Sequence, residues 1–308
     1  MAVENQSITS DFILLGFPEG RVLLSILIAL TYLTILMGNF AIISIIRIDC
    51  HLQTPMYFFL SFLSLLDIGY STVTLPAMFF NSVTYNRRIS FSRCFVQLYF
   101  FICFGGSESL LLTAMAYDRY VAICNPLRYL VIMNKKFCSY LVLGCYSSGF
   151  MNSAFHTSVT STVNFCEVRN LNHFFCDIPP LLEVSCTDTR TSKMLLYIFS
   201  VFMGIAPFMF VTISYIRIIT TILKIPSSAG RQKAFSTCFS HLIVVTVFFS
   251  TGVLSYIAPT HIDTFDIMIL SSMLYCVLTP LLNPVIYCLR NKEVKRAFNK
   301  VFSKNIIF

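Results

Sequence analysis

The stretch that decides the fold is Cys94–Ile123, which reads CFVQLYFFICFGGSESLLLTAMAYDRYVAI. Its charged side chains are Glu108 near the middle and the pair Asp118 and Arg119 close to the C-terminal end. At about 1.5 Å per residue, a helix of this length crosses the roughly 30 Å of hydrocarbon in a bilayer. The stretch therefore predicts a membrane-spanning helix whose charged pair lies near a membrane surface.

Six further stretches have the same character, and together the seven predict an all-α membrane protein built as a seven-transmembrane helix bundle. Hydrophobic residues make up 56% of the chain and charged residues 12%, and this charged share is about half that of a soluble domain. The predicted spans are Val22–Ile46, Met56–Phe80, Cys94–Ile123, Ser139–Thr160, Met194–Ile222, Ala234–Ala258 and Ile267–Leu289. Small and polar residues interrupt the fourth, which suits a helix packed against its neighbours. They are Ser147, Ser148, Gly149, Asn152 and His156.

Basic residues are distributed unevenly between the two sides of the predicted bundle. Of the 22 Lys and Arg, 15 follow spans one, three and five or lie in the tail, and seven fall on the other side. The positive-inside rule predicts a single domain, 1–308, with an extracellular segment 1–21, a helix bundle 22–289 and a cytosolic tail 290–308. The net charge of +8 follows from this topology and indicates no nucleic-acid partner.

The N-terminal segment has acidic residues where a secretory leader has a basic start and an apolar core, so no cleavable signal peptide is expected. Asn5-Gln6-Ser7 forms an N-glycosylation sequon on the predicted outer side. Among the 12 cysteines, four fall on that oxidising side, and spacing alone leaves three pairings open. These four are Cys94, Cys166, Cys176 and Cys186. Buried free thiols are expected for the other eight.

Three motifs carry a family resemblance. Met115–Tyr129 reads MAYDRYVAICNPLRY, Lys233–Leu242 reads KAFSTCFSHL, and Pro280–Asn291 reads PLLNPVIYCLRN. Shorter matches in Leu52–Leu60 and Cys176–Thr187 extend the likeness through the bundle. The chain resembles the olfactory branch of the rhodopsin-like G-protein-coupled receptors.

The resemblance implies a receptor and not an enzyme. It would bind a small volatile odorant within the bundle and activate a heterotrimeric stimulatory G protein, which raises cyclic AMP. The plasma membrane, and there the cilia of olfactory sensory neurons, is the expected location. The matching outer loop implies disulfides Cys94–Cys176 and Cys166–Cys186.

The cytosolic ends of the helices hold the predicted switch. Asp118 and Arg119 are predicted to form an ion pair at the G-protein face. The alternative is that Arg119 is an ordinary basic side chain that extends to water from the end of the helix. By resemblance, the remaining coupling residues are Tyr120, Tyr215, Asn283, Pro284 and Tyr287. Tyr215 is the expected partner of Tyr287 in the active state. Pro284 taken alone is an ordinary transmembrane kink.

Asp67 and Glu108 fall near the middles of spans two and three. An ionisable group at that depth costs roughly 2.5–3.5 kcal/mol and needs a partner or a polar cavity. The resemblance suggests a sodium ion or a shared proton between these two carboxylates, with no other cofactor. A purely structural polar cluster is the alternative.

Residues of four helices are the candidate ligand contacts. Leu98, Phe101, Ile102 and Gly105 share one face of the third span. With the family pattern, the predicted pocket comprises Phe101, Ile102, Gly105, Phe199, Met203, Val253, Tyr256, Met273 and Cys276. None of these carries a fixed charge, which predicts a small, neutral, mostly apolar ligand. Ordinary core packing is the alternative for any one of them.

Three other classes fit less well. A secondary transporter would show paired repeats, and the interrupted inner end of span seven has no counterpart. An intramembrane enzyme would need a nucleophile–base pair or metal ligands, whereas the five His are scattered. An amine receptor would need a carboxylate where Phe101 stands.

Overall fold

The structure is a computed structural model that describes residues 11–15, 22–84, 87–167, 169–257, 265–289 and 294–298. Within the helices it does not describe the side chains at 200, 233, 236–237, 253–257, 265–272 and 287–289. The sequon at Asn5 lies outside the described residues, and so does most of the tail.

Helices make up nearly all of the described chain. They are α1 (Val22–Ile48), α2 (Pro55–Val83), α3 (Phe91–Cys124), α4 (Tyr129–Ile132), α5 (Lys135–Ser161), α6 (Ile178–Glu183), α7 (Arg190–Ser200), α8 (Ala206–Leu223), α9 (Ser228–Ile257) and α10 (Phe265–Leu289). A π-helical segment, Val201–Ile205, joins α7 to α8 without a break. The described residues of each of the seven predicted spans are helical. The fifth span covers parts of α7 and α8 and the π-helical segment between them.

Local sequence explains where several helices begin. Pro55 occupies the first position of α2, where its missing N–H is not needed. The side chain of Asn134 caps α5 by accepting a hydrogen bond of 2.9 Å from the backbone N–H of Phe137. Because caps and polar first turns lie outside the apolar runs, α5 begins four residues before its predicted span.

Four helices among the described residues are long and apolar enough to cross a membrane. They are Val22–Ile48, Pro55–Val83, Phe91–Cys124 and the continuous helix Arg190–Leu223. Shorter apolar stretches lie at Cys238–Gly252 and Met273–Ile286. Large apolar side chains such as Val22 and Leu23 are about 70% exposed on the outer face of α1, as expected of a surface that faces lipid. The count of seven crossings and the orientation of the termini stay predictions.

The third helix lies at the centre of the bundle and packs against α2, α5, α8 and α9. It packs tightly against α5 at Gly149, where an added Cβ would lie 2.7 Å from the carbonyl oxygen of Cys103 and would also overlap Ser107. A glycine is therefore required at this crossing. Since α3 contacts so many neighbours, it can position groups at both ends of the bundle.

A small sheet lies at the end of the bundle opposite Asp118. Its strand order is β2-β1-β3, with β1 (Phe12–Leu14) antiparallel to β2 (Arg88–Ile89) and parallel to β3 (Asn170–Leu171). Phe12 and Leu14 are buried against a cluster that includes Cys94 and Cys176. The sheet thereby ties the N-terminal segment to the loops, which the sequence did not predict.

Candidate functional site

A cavity of about 210 Å³ lies inside the bundle on the sheet side. Helices α3, α5, α7, α8, α9 and α10 and the π-helical segment line it, and Ile178 of α6 also contributes. An apolar cavity of roughly 150 Å³ holds benzene, so this cavity has room for a somewhat larger small molecule. Lys, Arg, Asp and Glu are absent from the described lining.

Five of the nine predicted ligand contacts line this cavity: Phe101, Ile102, Gly105, Phe199 and Met203. The three α3 residues lie together because residues spaced three and four apart share one helix face, and their role as ligand contacts stays a prediction. Gly105 has a direct effect on the cavity, because a Cβ at this position would lie 3.0 Å from the Tyr275 hydroxyl oxygen. The glycine therefore keeps this part of the cavity open.

The other predicted contacts do not belong to the described lining. Cys276 is fully buried, and its Sγ lies 3.6 Å from the Tyr70 hydroxyl oxygen. Met273 packs on the same buried cluster. Tyr275 faces the cavity instead, since successive helical residues point about 100° apart. Met273 and Cys276 thus lie on a different face of α10 from the one that borders this cavity. The side chains of Val253 and Tyr256 lie outside the described part.

Polar groups reach the cavity from four positions, two of which the sequence analysis assigned to helix packing. Asn152 and His156 of α5 line it, and Ser109 and Tyr275 line it from α3 and α10. The spacing of Asn152 and His156, four residues apart on one helix face, was the available signal. Phe248 and Phe249 complete the wall on α9.

The π-helical segment Val201–Ile205 borders the cavity through Met203, Gly204 and Ile205. The Ser109 hydroxyl donates a hydrogen bond of 2.7 Å to the backbone carbonyl of Met203. π-Helical turns, which contain an extra residue, are frequently found at functional sites inside α-helices. Here the π-helical segment is anchored to the central helix at the wall of the cavity.

At the other end of α3, Asp118 and Arg119 form the predicted ion pair. Arg119 Nη2 lies 2.7 Å from Asp118 Oδ2, and Arg119 Nε donates to the same oxygen at 3.1 Å. The hydroxyl of Tyr129 donates to Asp118 Oδ1 at 2.8 Å. Burial, and then the neighbouring Asp118 carboxylate, raises the pKa of this hydroxyl, so it stays a donor at neutral pH. Tyr129 is thus a third member that the sequence reading missed.

The remaining switch residues contact different partners. Tyr120 packs on the core with its ring stacked on Tyr117 at 6.4 Å. The Tyr215 hydroxyl lies 2.7 Å from His241 Nδ1 and also donates to the Cys238 carbonyl at 3.3 Å. Tyr215 therefore links α8 to α9 in this structure. The side chain of Tyr287, its predicted partner, is outside the described residues.

Asp67, Glu108 and Asn283 are buried in mid-helix. Asn283 Nδ2 donates to both carboxylate oxygens of Asp67, at 3.1 and 3.0 Å. Glu108 Oε1 and Asn283 Oδ1 have no hydrogen-bond partner among the described residues. Buried oxygens of this kind fit a small hard cation. The neighbouring Pro284 packs closely on α1, because a Cβ added at Gly38 would lie 2.9 Å from the Pro284 side chain.

The structure joins Cys94 to Cys176 and Cys166 to Cys186, the pairing expected from the outer loop. Gln97 adds a second tie, because its Oε1 accepts from the Cys176 backbone N–H at 3.1 Å. Burial lowers the pKa of His173 to about 4, and its Nδ1 lies 3.2 Å from the Phe175 carbonyl oxygen. Neutral and internally bonded, His173 is part of the loop's own packing.

A family model described as "Olfactory receptor" matches residues 28–305. The chain is 44% identical to Olfactory receptor 5I1 of Homo sapiens, with 98% of this chain and 97% of that protein covered. It is 46% identical to Olfactory receptor 8G50 of Mus musculus, with 99% and 98% covered. The chain belongs to the olfactory receptor family.

Membership confirms the resemblance drawn from the motifs and places the receptor in a class that contains no enzymes. The family is one of G-protein-coupled receptors for odorants, so the chain is a multi-pass membrane protein with a small-molecule ligand and a G-protein partner. The cavity and the Asp118–Arg119 pair are then the obvious candidates for the two ends of its signalling path.

Proposed function

We propose that the receptor binds a small, neutral, mostly apolar volatile molecule in the cavity between α3, α5, α7 and α9. It responds by activating a stimulatory G protein, which raises cyclic AMP. The observation that carries the proposal is the apolar cavity of about 210 Å³ with no ionised residue in its described lining. An ionised ligand there would lose several kcal/mol of hydration without an ion-pair partner.

The route of the signal runs along α3. Ser109 lines the cavity, and Arg119 lies ten residues further on, which is about 15 Å along a helix axis. A ligand that shifts α3 against the π-helical segment would thereby change the environment of Asp118 and Arg119. Release of Arg119 from Asp118 then makes its guanidinium available to the G protein. Receptor activation of this kind needs a ligand that favours the released state.

Asp67, Glu108 and Asn283 are proposed to hold a sodium ion or to share a proton. A bound cation would compensate the two buried carboxylates in the resting bundle. The unpartnered oxygens of Glu108 and Asn283 support this proposal. An additive contribution of Asp67 and Glu108 to activation would favour a purely structural cluster.

The plasma membrane, with seven crossings and a cytosolic tail, is the proposed location, and sensory cilia are the site implied by the family. Epitope tags at the two termini of the full-length receptor, stained before and after permeabilisation, test the orientation. An N-terminal tag that is accessible only after permeabilisation would contradict it.

A cyclic AMP assay on transfected cells tests the function. A panel of amines, acids and neutral volatiles is applied to the wild-type receptor and to mock-transfected cells, at matched surface expression. Neutral volatiles should give the responses. Activation by permanently charged compounds alone would contradict the proposed pocket, and a response through a G protein that lowers cyclic AMP would contradict the coupling.

A further inference from the structure

One wall of the cavity differs chemically from the rest. Asn152 and His156 lie four residues apart on α5 and both line the cavity, whereas most of the surrounding lining is aromatic, aliphatic or glycine. Cβ atoms at this spacing are about 5–6 Å apart on a helix face. The two side chains therefore form a polar strip one helical turn long, here called the α5 strip.

His156 is held by ring packing and makes no hydrogen bond to another described residue. Its exposed fraction is 6%, so it is more than nine-tenths buried. The ring meets Phe199 edge-on, with centroids 5.1 Å apart, and packs on Phe155 in a similar way at 5.7 Å. Within the part of the chain that the structure describes, neither ring nitrogen has a hydrogen-bonding partner, although the residue borders the cavity.

Asn152 also has a polar atom without a hydrogen-bond partner among the described residues. Its Oδ1 is buried and unpartnered among the described residues, and its Nδ2 would lie 3.8 Å from a Cβ at Gly106, across the cavity wall. Ser109 is different, because its hydroxyl already donates to the Met203 carbonyl. The α5 strip thus holds two polar side chains whose bonding capacity is unused. A buried polar group left unsatisfied costs free energy, so a ligand group that satisfies both is favoured.

The bonding chemistry of the strip selects a class of ligand. A neutral imidazole offers one donor and one acceptor, and a carboxamide offers both kinds of group. Two side chains whose Cβ atoms are about 5–6 Å apart can both bond to one shared oxygen atom through hydrogen bonds of about 2.8 Å. A hydroxyl oxygen can accept from one member of the strip and donate to the other. An ether, ketone or ester oxygen can only accept, and a hydrocarbon does neither.

We propose that the α5 strip is the polar subsite of the odorant pocket and that it recognises the hydroxyl group of an alcohol. The inference rests on the proposed function for the location of the pocket, and it adds the ligand class and the residues that select it. The apolar remainder of the ligand lies against Phe101, Phe199 and Phe249, on the other walls.

Two matched sets of probes separate hydroxyl recognition from size and hydrophobicity. One set is octanol, heptyl methyl ether and nonane, and the other is benzyl alcohol, anisole and ethylbenzene. Binding to the purified full-length receptor is measured as ligand-induced thermal stabilisation. In the wild type, at least one alcohol should bind roughly 10- to 100-fold more tightly than its ether partner, the range expected for one lost hydrogen bond at a buried site.

Variants assign the preference to the strip. His156→Leu and Asn152→Leu should each abolish the alcohol preference while hydrocarbon binding changes less than about threefold. His156→Gln keeps a donor and an acceptor and should retain most of it. Met151→Leu is the matched control, because Met151 is adjacent in α5 and 73% exposed on the outside of the bundle. Two separate leucine variants keep the test valid if one of them fails to fold.

Cyclic AMP recorded on the same variants separates the two proposals. An alcohol preference that depends on the strip but raises no cyclic AMP supports the subsite and contradicts the proposed signalling. Responses to volatiles without any alcohol preference, or with a preference that survives both leucine variants, overturn the subsite and leave the receptor function in place. Absence of alcohol-selective binding in both probe sets also overturns the subsite.

Discussion

At the scale of single residues, the shape of the cavity depends on a missing side chain. A Cβ at Gly105 would lie 3.0 Å from the Tyr275 hydroxyl oxygen, closer than most real contacts. A leucine at this position therefore has to occupy space that a ligand would use. We expect Gly105→Leu to abolish responses to the larger agonists and to spare the smallest ones, as measured by cyclic AMP concentration–response curves.

The adjacent glycine supplies the control. A Cβ at Gly106 would meet Met203 Cε at 3.5 Å and Asn152 Nδ2 at 3.8 Å, which are ordinary contacts. Gly106→Ala should therefore shift the curves much less than Gly105→Leu. Equal loss of small and large agonists in Gly105→Leu, at normal surface expression, would show that the residue does not set the size limit.

Tyr129 is predicted to restrain the resting receptor. Its hydroxyl donates to Asp118, which also binds Arg119, and a hydrogen bond to a charged group contributes about 1.5–3 kcal/mol. Tyr129→Phe should loosen the pair and raise basal cyclic AMP several-fold. Arg119→Ala should abolish the agonist response at an unchanged surface level. Tyr140→Phe is the control, because Tyr140 is 60% exposed on α5.

Basal cyclic AMP in Tyr129→Phe that matches the wild type would remove Tyr129 from the switch. A normal agonist response in Arg119→Ala would do the same for Arg119.

Single residues also show which features of the cavity can be predicted from the sequence and which cannot. On α3, Phe101, Ile102 and Gly105 were predicted to line the cavity and do so, because three-and-four spacing defines one face. On α10 the residue that lines the cavity is Tyr275 and not the predicted Cys276, and adjacent helical residues point about 100° apart. Apolar residues surround a transmembrane helix on every side, so the pattern holds little information about its rotation. Packing decides it.

At the scale of helices, Asp67 of α2, Glu108 of α3 and Asn283 of α10 join three elements at mid-bundle. Two buried carboxylates should not both ionise unless a cation is present. Asp67→Asn and Glu108→Gln should therefore have non-additive effects on activation or on its sodium dependence, as measured in a double-mutant cycle. Asn81→Ala at the end of α2, where the side chain bonds only to the Phe174 carbonyl in the described structure, is a distant control.

Strict additivity of the two carboxamide substitutions, at every sodium concentration, would leave these residues a structural role only.

The α3–α5 crossing gives a second prediction about elements. A Cβ at Gly149 would lie 2.7 Å from the Cys103 carbonyl oxygen, and that backbone atom cannot move aside. We expect Gly149→Ala to lower the thermal stability of the purified receptor, by the 1–3 kcal/mol or so typical of overpacking. Gly144→Ala, on the same helix with nothing within 4 Å of its Cβ, should be neutral or slightly stabilising. Equal stability of the two variants would contradict a tight crossing.

The elements show a similar division between what the sequence predicts and what it does not. Apolar runs locate the seven long helices of the described residues because lipid-facing and core-facing residues are alike apolar. The strands β2 and β3 have two residues each, too few for a periodic pattern, and their pairing joins segments far apart in the chain. Ser109 bonds to the Met203 carbonyl in the π-helical segment, and no local signal in α7 predicts this contact.

At the scale of the whole molecule, the proposed function is divided between two ends of the bundle that α3 connects. The cavity and the α5 strip lie on the sheet side, and Asp118 and Arg119 lie at the opposite end of α3. The core cluster around Leu111, Leu112 and Met115 fills the interval between them. In the proposed mechanism, a ligand about 15 Å away influences the charged pair by moving α3 relative to its neighbours.

The loop 162–189, which contributes Ile178 to the cavity wall and is here called the cap, is tied to α3 by Cys94–Cys176 and closed within itself by Cys166–Cys186. Cys94 and Cys176 are separated by 82 residues, and Cys166 and Cys186 by 20. Loop-closure entropy gives stabilisations of about 4.5 and 3.3 kcal/mol for such separations. The first bond also connects α3 to the loop that precedes Ile178 in the cavity wall. Cys176→Ser should therefore lower the melting temperature and the agonist potency more than Cys186→Ser, and non-reducing peptide mapping of the wild type should recover both bridges. A free thiol at any of the four positions, or a larger loss in Cys186→Ser, would contradict this account of the cap.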